Sequence, residues 1–263
     1  GTISTVAGQG PVAYEVETAP ALEMMLNGPH GLARDAGGNL YIAEAGNHVV
    51  RRVSAATGEI AIVAGRGIPG GDGDGGLATE ARLSYPTNLA FDSVGNLYIA
   101  DQGNNRIRVV DRVSGVIRTV AGNGSSNFSG DGGLATLAAL RSPTDVAFDA
   151  TGNLYITDWG NARIRRVDVA TRLISTFAGT GNAASSGDGG NALQADINPY
   201  GLAIDGRGDL VFTEINQHRV RRIDQSTRTV RTIAGTGTAG FSGDGGPAIS
   251  AALSTPHGIS IDT

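Results

Sequence analysis

The chain has 263 residues, of which 41 are glycine, and a formal net charge of −5. That length allows one large domain burying roughly 70–75% of its extended surface, and the negative balance disfavours generic binding to nucleic acid or anionic membranes. There is no cysteine and hence no disulfide, all 20 basic residues are arginine, and no apolar run reaches the roughly 20 residues needed to span a bilayer.

In chain order, "GTISTVAG" at 1–8 reads as the last strand of a blade, and the first of five anchor prolines follows at Pro29. The others are Pro86, Pro143, Pro199 and Pro256, at intervals of 57, 57, 56 and 57 residues. After each anchor comes a short strand, "HGLARD", "TNLAFD", "TDVAFD", "YGLAID" or "HGISID". In the first four units a Gly-Asn or Gly-Asp turn leads to "NLYIAE", "NLYIAD", "NLYITD" or "DLVFTE". A polar turn then leads to "VVRRV", "RIRVV", "RIRRV" or "RVRRI", and each unit ends in "IAIVAG", "IRTVAG", "ISTFAG" or "VRTIAG". Short β-branched segments that alternate with polar residues and stop at turn residues are antiparallel strands. Four strands per stacked repeat predict an all-β fold, a β-propeller of four-stranded antiparallel blades.

The strings "GLAID..GDLVFTE...HRVRRI" and "NLYIAD.GN.RIR" resemble the NHL-repeat family over essentially the whole chain. The resemblance is specific for fold and not for function, because relatives of this architecture include RNA-binding, sensor and adhesion domains as well as metal-dependent lyases and lactonases. It implies one propeller domain over 1–263, with blades at about 29–85, 86–142, 143–198 and 199–255. Residues 256–263 and 1–28 are expected to form a split blade that removes open sheet edges. Five inner strands are countable, with one blade incomplete, and six blades are expected if residues follow Thr263. A mature secreted or periplasmic chain is the expected setting.

The loops entering each inner strand and those joining second and third strands are expected on one ligand-binding face. "SGDGG" stands there at 129–133, 186–190 and 242–246, with "GDGDGG" at 71–76 and Glu17 at the same place in the N-terminal copy. An acidic ring for a hard cation would use Asp74, Asp131, Asp188 and Asp244. The alternative is a cap on a short helix, since "ATEARL", "ATLAAL" and "PAISAAL" follow, and one carboxylate per loop suits a cap better.

Asp101, Asp158 and Glu214 each have an arginine five residues on, at Arg106, Arg163 and Arg219, and are expected to clamp the hairpin. Glu44 meets Val49 instead, which makes it an unpaired ligand candidate. Trp159, the one tryptophan, and Tyr200 are the aromatic candidates on this face. The arginines of the third strands, Arg51, Arg52, Arg108, Arg165, Arg166, Arg221 and Arg222, read as solvated or cross-strand paired.

His30 and His257 both follow anchor prolines, where the amidating lyases of this fold carry zinc-binding histidines. The resemblance implies a divalent metal, zinc or calcium, at the channel mouth, with Glu44 or Tyr200 as a third ligand. No histidine ends a second strand, and zinc catalysis wants three protein ligands and an open position. Four near-identical blades point to a non-catalytic scaffold that binds a protein, glycan or small ligand on its top face. A metal-dependent lyase or lactonase is the alternative.

Overall fold

The computed structural model describes residues 5–7 and 18–262. They fall into two compact units, Gly1–Gly124 and Ser125–Thr263. The first unit begins with the two-residue β1 (Ala19–Pro20) and continues with β2 (Pro29–Arg34), β3 (Leu40–Glu44), β4 (Val49–Val53) and β5 (Glu59–Ala64). Its second sheet holds β6 (Pro86–Phe91), β7 (Leu97–Asp101), β8 (Arg106–Val110) and β9 (Ile117–Ala121). In the second unit come β10 (Pro143–Phe148), β11 (Leu154–Asp158), β12 (Arg163–Val167) and β13 (Ile174–Ala178). Last are β14 (Leu202–Ile204), β15 (Leu210–Glu214), β16 (Arg219–Ile223) and β17 (Val230–Ala234).

Each sheet runs up and down in sequence order, and every pairing is antiparallel. Among the described residues the first sheet alone has a fifth strand, β1, which pairs with the outer strand β5. That pairing is the longest example of a repeated latch. Pro20 faces Glu59, as Leu77 faces Val116, Leu134 faces Leu173 and Asn191 faces Thr229. In the last three cases the chain arriving from the preceding blade docks against the outer strand of the next one.

The hydrophobic cores lie between successive sheets of a unit. In the first, Val50, Ala64, Leu83, Leu89, Ile99 and Ile117 cluster; in the second, Ile164, Phe177, Leu210, Phe212, Ile223 and Val230 do. The alternating strands make this possible, because every second residue faces a neighbouring sheet.

The segment 257–262, expected as a fifth inner strand, is assigned to no strand. Thr213 Oγ1 donates to its His257 carbonyl at 2.7 Å. Residues 1–4 and 8–17 of the expected split blade, including Glu17, lie outside the described residues.

Candidate functional site

The repeated acidic loop has a structural role, by a route other than the expected helix cap. Only single 3-10 turns follow the loops, at Ala135–Leu137, Ala192–Gln194 and Ala248–Ser250, and the aspartates cap none of them. Instead the carboxylates of Asp74, Asp131 and Asp188 reach the third strand of the next blade. Asp74 accepts from Arg108 Nη2 at 2.6 Å and from the Thr119 amide at 3.0 Å. Asp131 accepts from Arg165 Nη2 at 2.7 Å and the Thr176 hydroxyl at 2.7 Å. Asp188 accepts from Arg221 Nη2 at 2.6 Å and the Thr232 amide at 2.9 Å. Burial raises the Asp74 carboxyl, but donation from Thr119 and Arg108 outweighs it and leaves the group below its ordinary value. Asp244 has no such partner among the described residues; its equivalents find theirs 33 or 34 residues further along the chain.

Glycine is needed in this loop for space as well as for conformation. Gly130 has φ +90°, and a Cβ there would lie 2.6 Å from Ala138 Cα. A Cβ on Gly73 would meet the equivalent Ala81 at the same distance.

The arginines Arg51, Arg108, Arg165 and Arg221 are fully buried, so of the two expected readings, solvated or cross-strand paired, it is the second that holds for them. They also replace the expected clamp partners. Asp158 pairs with Arg165 at 3.3 Å and Glu214 with Arg221 at 3.5 Å, seven residues on and not five. Arg106 sits directly across from Asp101, and Arg108, two residues on, shares that strand face, so both could reach the carboxylate and Arg108 is the one that folds inward. Arg106 turns outward to the Gly71 carbonyl at 2.9 Å.

Glu44 is therefore not unpaired. It meets Arg51 at 2.6 Å, with both side chains fully buried, and accepts from the Asn27 amide and Asn47 Nδ2 at 2.6 Å each. The same carboxylate position accepts the Ser84 amide at Asp101, the Arg141 amide at Asp158 and the Asn198 amide at Glu214. Each is a lock holding the chain as it enters an inner strand. Burial pushes Asp101 up to about 6, against donation from Ser84 and Asn104 and the positive charge of Arg108.

The other candidates gather in the second unit. Trp159, in the turn between β11 and β12, meets the Tyr200 ring edge-to-face at 5.9 Å between centroids, and Tyr200 meets His257 at 4.9 Å. Trp159 and Tyr200 are half-buried and His257 is exposed, so the three rings make a shelf with one open side. Its backbone rests on threonines where the first unit has Ala43 and Ala100. Thr144 donates to the Tyr200 carbonyl at 2.7 Å and lies 2.8 Å from the Thr157 hydroxyl. Thr213 donates to the His257 carbonyl at 2.7 Å and accepts the buried Gly201 amide at 2.9 Å. Gly201 is obligatory here, since a Cβ would lie 2.4 Å from the His257 carbonyl oxygen. Thr213→Ala strips the buried amide of its acceptor and should cost about 1–3 kcal/mol by chemical denaturation, whereas Thr213→Ser should cost less.

His30 belongs to the first unit, where its ring stands 6.4 Å from that of Tyr85. Among the described residues no three His, Cys, Asp or Glu side chains form a group that could hold a metal ion. The remaining histidines share a position that sequence reasoning missed. His48 Nδ1 accepts the Tyr85 amide at 3.0 Å and His218 Nδ1 accepts the Thr255 amide at 3.1 Å, both across 37 residues. That common spacing from a histidine to the residue before an anchor proline was the available signal.

A family model described as NHL repeat matches residues 26–52 and 140–167, which hold β2–β4 and β10–β12. The chain carries NHL repeats. "Protein SUPPRESSOR OF QUENCHING 1, chloroplastic" of Arabidopsis thaliana is 31% identical over 247 residues, covering 89% of this chain and 23% of that protein. "NHL repeat-containing protein 2" of Bos taurus is 31% identical over 162 residues, covering 57% of this chain and 22% of that one. The NHL chain thus spans less than a quarter of these relatives. A gluconolactonase from Xanthomonas campestris superposes with a TM-score of 0.58 at 13% identity, over 90% of this chain and 67% of the other. That likeness shows the fold, a β-propeller, and nothing of the chemistry.

Proposed function

We propose that this NHL propeller is a binding scaffold that engages a protein partner through the shelf of Trp159, Tyr200 and His257. The observation that carries the reading is the shelf itself: Trp159 and His257 each meet Tyr200 edge-to-face, open on one side, on a threonine-pinned backbone. Tyrosine and tryptophan bring large contact area at little entropic cost and dominate protein-binding hot spots. The indole N–H of Trp159 points into the protein, which leaves the apolar ring as the surface a partner would meet.

The test is a selection of displayed random peptides against the whole chain, with a glycan array in parallel. Peptides should enrich on the wild type and bind Trp159→Ala and Tyr200→Leu at least tenfold more weakly, as loss of a hot-spot residue does. Because Trp159 is the sole tryptophan, its emission should shift as such a peptide is titrated. Equal binding by both variants, or binding of glycans alone, would overturn the proposal.

A further inference from the structure

At the opposite strand ends of the second unit, a cavity of about 520 Å³ opens between the β10–β11 and β14–β15 hairpins and the β16–β17 turn. That size is within the range of small-molecule sites. Arg166, Arg207 and Arg228 line it, together with Gln225 and the ring of Phe177.

Arg228 is held with unusual firmness. Its guanidinium carbon stands 3.6 Å over the centre of the Phe177 ring, and its Nη2 donates to the Phe177 carbonyl at 2.8 Å. Its backbone is left-handed, with φ +60°. At the same turn the first two blades use Gly58 and Gly115, with φ +71° and +69°, while the third uses Arg172 at +60°. Such a conformation strains any residue with a Cβ, so a side chain kept there is a candidate for function. Two of the cavity's buried polar atoms, Arg228 Nε and Gln225 Oε1, have no hydrogen-bond partner among the described residues. Buried groups of that kind are seldom left unsatisfied.

The charges around the cavity are unequally committed. Asp149 accepts from the amides of Thr151 and Asn153, from Asn153 Nδ2 and from the Thr151 hydroxyl. Asp205 accepts from the amides of Arg207 and Asp209. Both carboxylates are thus satisfied by their own hairpins. The arginines are engaged weakly: Arg166 meets Asp168 at 3.3 Å and Arg207 meets Asp205 at 3.4 Å, in solvent-exposed pairs that are easily given up.

We propose that this cavity binds a small hydroxylated oxyanion, a sugar acid or a sugar phosphate. Its anionic group lies against Arg228 and Arg166, where planar guanidinium groups suit carboxylate and phosphate alike. A ligand hydroxyl donates to Gln225 Oε1 once the side-chain amide turns toward the cavity that Gln225 lines. This site is separate from the aromatic shelf and does not depend on it.

Calorimetric titration of the whole chain with D-glucuronate, glucose 6-phosphate and neutral D-glucose tests it. One or both anions should bind saturably, and glucose should not; which anion binds identifies the carboxylate or the phosphate as the recognised group. Arg228→Gly takes the residue the first two blades carry and removes the backbone strain, so it should melt near the wild-type temperature and bind at least tenfold more weakly. Arg166→Gln, at a half-exposed position, should also weaken binding. No saturation by either anion, binding unchanged in both variants, or glucose binding as tightly as the anions would overturn the proposal.

Discussion

Arg108→Ala should destabilise the chain by about 3–5 kcal/mol, the cost expected when one member of a buried charged group is removed. Arg108 is fully buried and has carboxylates on two sides, Asp74 at 2.6 Å and Asp101 at 4.0 Å. It also donates to the Arg82 carbonyl at 2.8 Å and the Asp72 carbonyl at 3.3 Å. Truncation therefore leaves Asp101, itself fully buried, without its cation, and releases the acidic loop from the blade it latches. Arg112→Ala is the control: that residue is exposed and makes one long bond to the Val94 carbonyl, so its loss should fall within about 0.5 kcal/mol. Urea denaturation of the three proteins measures both effects. A cost for Arg108→Ala below about 1 kcal/mol would show that the carboxylates find other donors. The double variant Arg108→Met with Asp101→Leu should recover part of the loss, because exchanging a buried pair for apolar groups is far cheaper than breaking it.

The blade architecture was legible because it rests on periodicities that chain distance records faithfully. Anchor prolines 56 or 57 residues apart and strings such as "NLYIAD" place β7 at Leu97–Asp101 and its equivalents within a residue or two. The polar network was less legible, for a reason visible at Asp101. Two arginines, Arg106 and Arg108, stand on the correct face of the neighbouring strand, and spacing alone cannot say which long side chain folds inward. Choosing the nearer one left Glu44 seemingly partnerless at Val49, although Arg51 stands seven residues on, as in every other blade. The loop aspartates were rightly read as structural, but their partners lie 33 or 34 residues away, beyond the reach of any local capping rule.

The aromatic shelf shows the opposite balance. Trp159 and Tyr200 were recognisable as departures from the repeat, since the other blades carry unlike residues at those places. That they touch was not recognisable, nor that Thr144, Thr157 and Thr213 secure the backbone beneath them. Threonine in a strand is ordinary, and only its contrast with Ala43 and Ala100 marks the second unit as different. Symmetry is broken there twice, by the shelf at one end of the strands and by the Arg228 cavity at the other. In a chain built from near-identical blades, those departures are where recognition can be specific.

The raised carboxyl of Asp101 carries a further expected result, in which wild-type stability relative to Asp101→Asn increases as the solution is acidified from pH 6 towards 4. The sign follows from proton linkage. Burial lifts the native group from 3.8 to about 6, so across that interval the folded chain holds a proton that the unfolded chain has released. Stability attributable to this group must then fall as pH rises through the window, and grow as pH falls. Two units of difference correspond to about 3 kcal/mol, with the opposing charge of Arg108 already contained in the raised value. Other groups move the opposite way: burial lowers His48, which removes stability on acidification below about 6.5, and the lowered Asp74 and Asp188 do so at still lower pH. Comparing the two proteins at each pH cancels those shared contributions. Asparagine fits the lock poorly, since the Ser84 amide, Asn104 and Arg108 all approach as donors, so the variant should be less stable throughout. The gap between the curves is the quantity to measure, by urea denaturation at half-unit steps from pH 4 to 7. A gap that widens towards acid confirms a buried carboxyl titrating near 6. A constant gap would mean that Asp101 stays ionised across the range, with Arg108 compensating its burial in full.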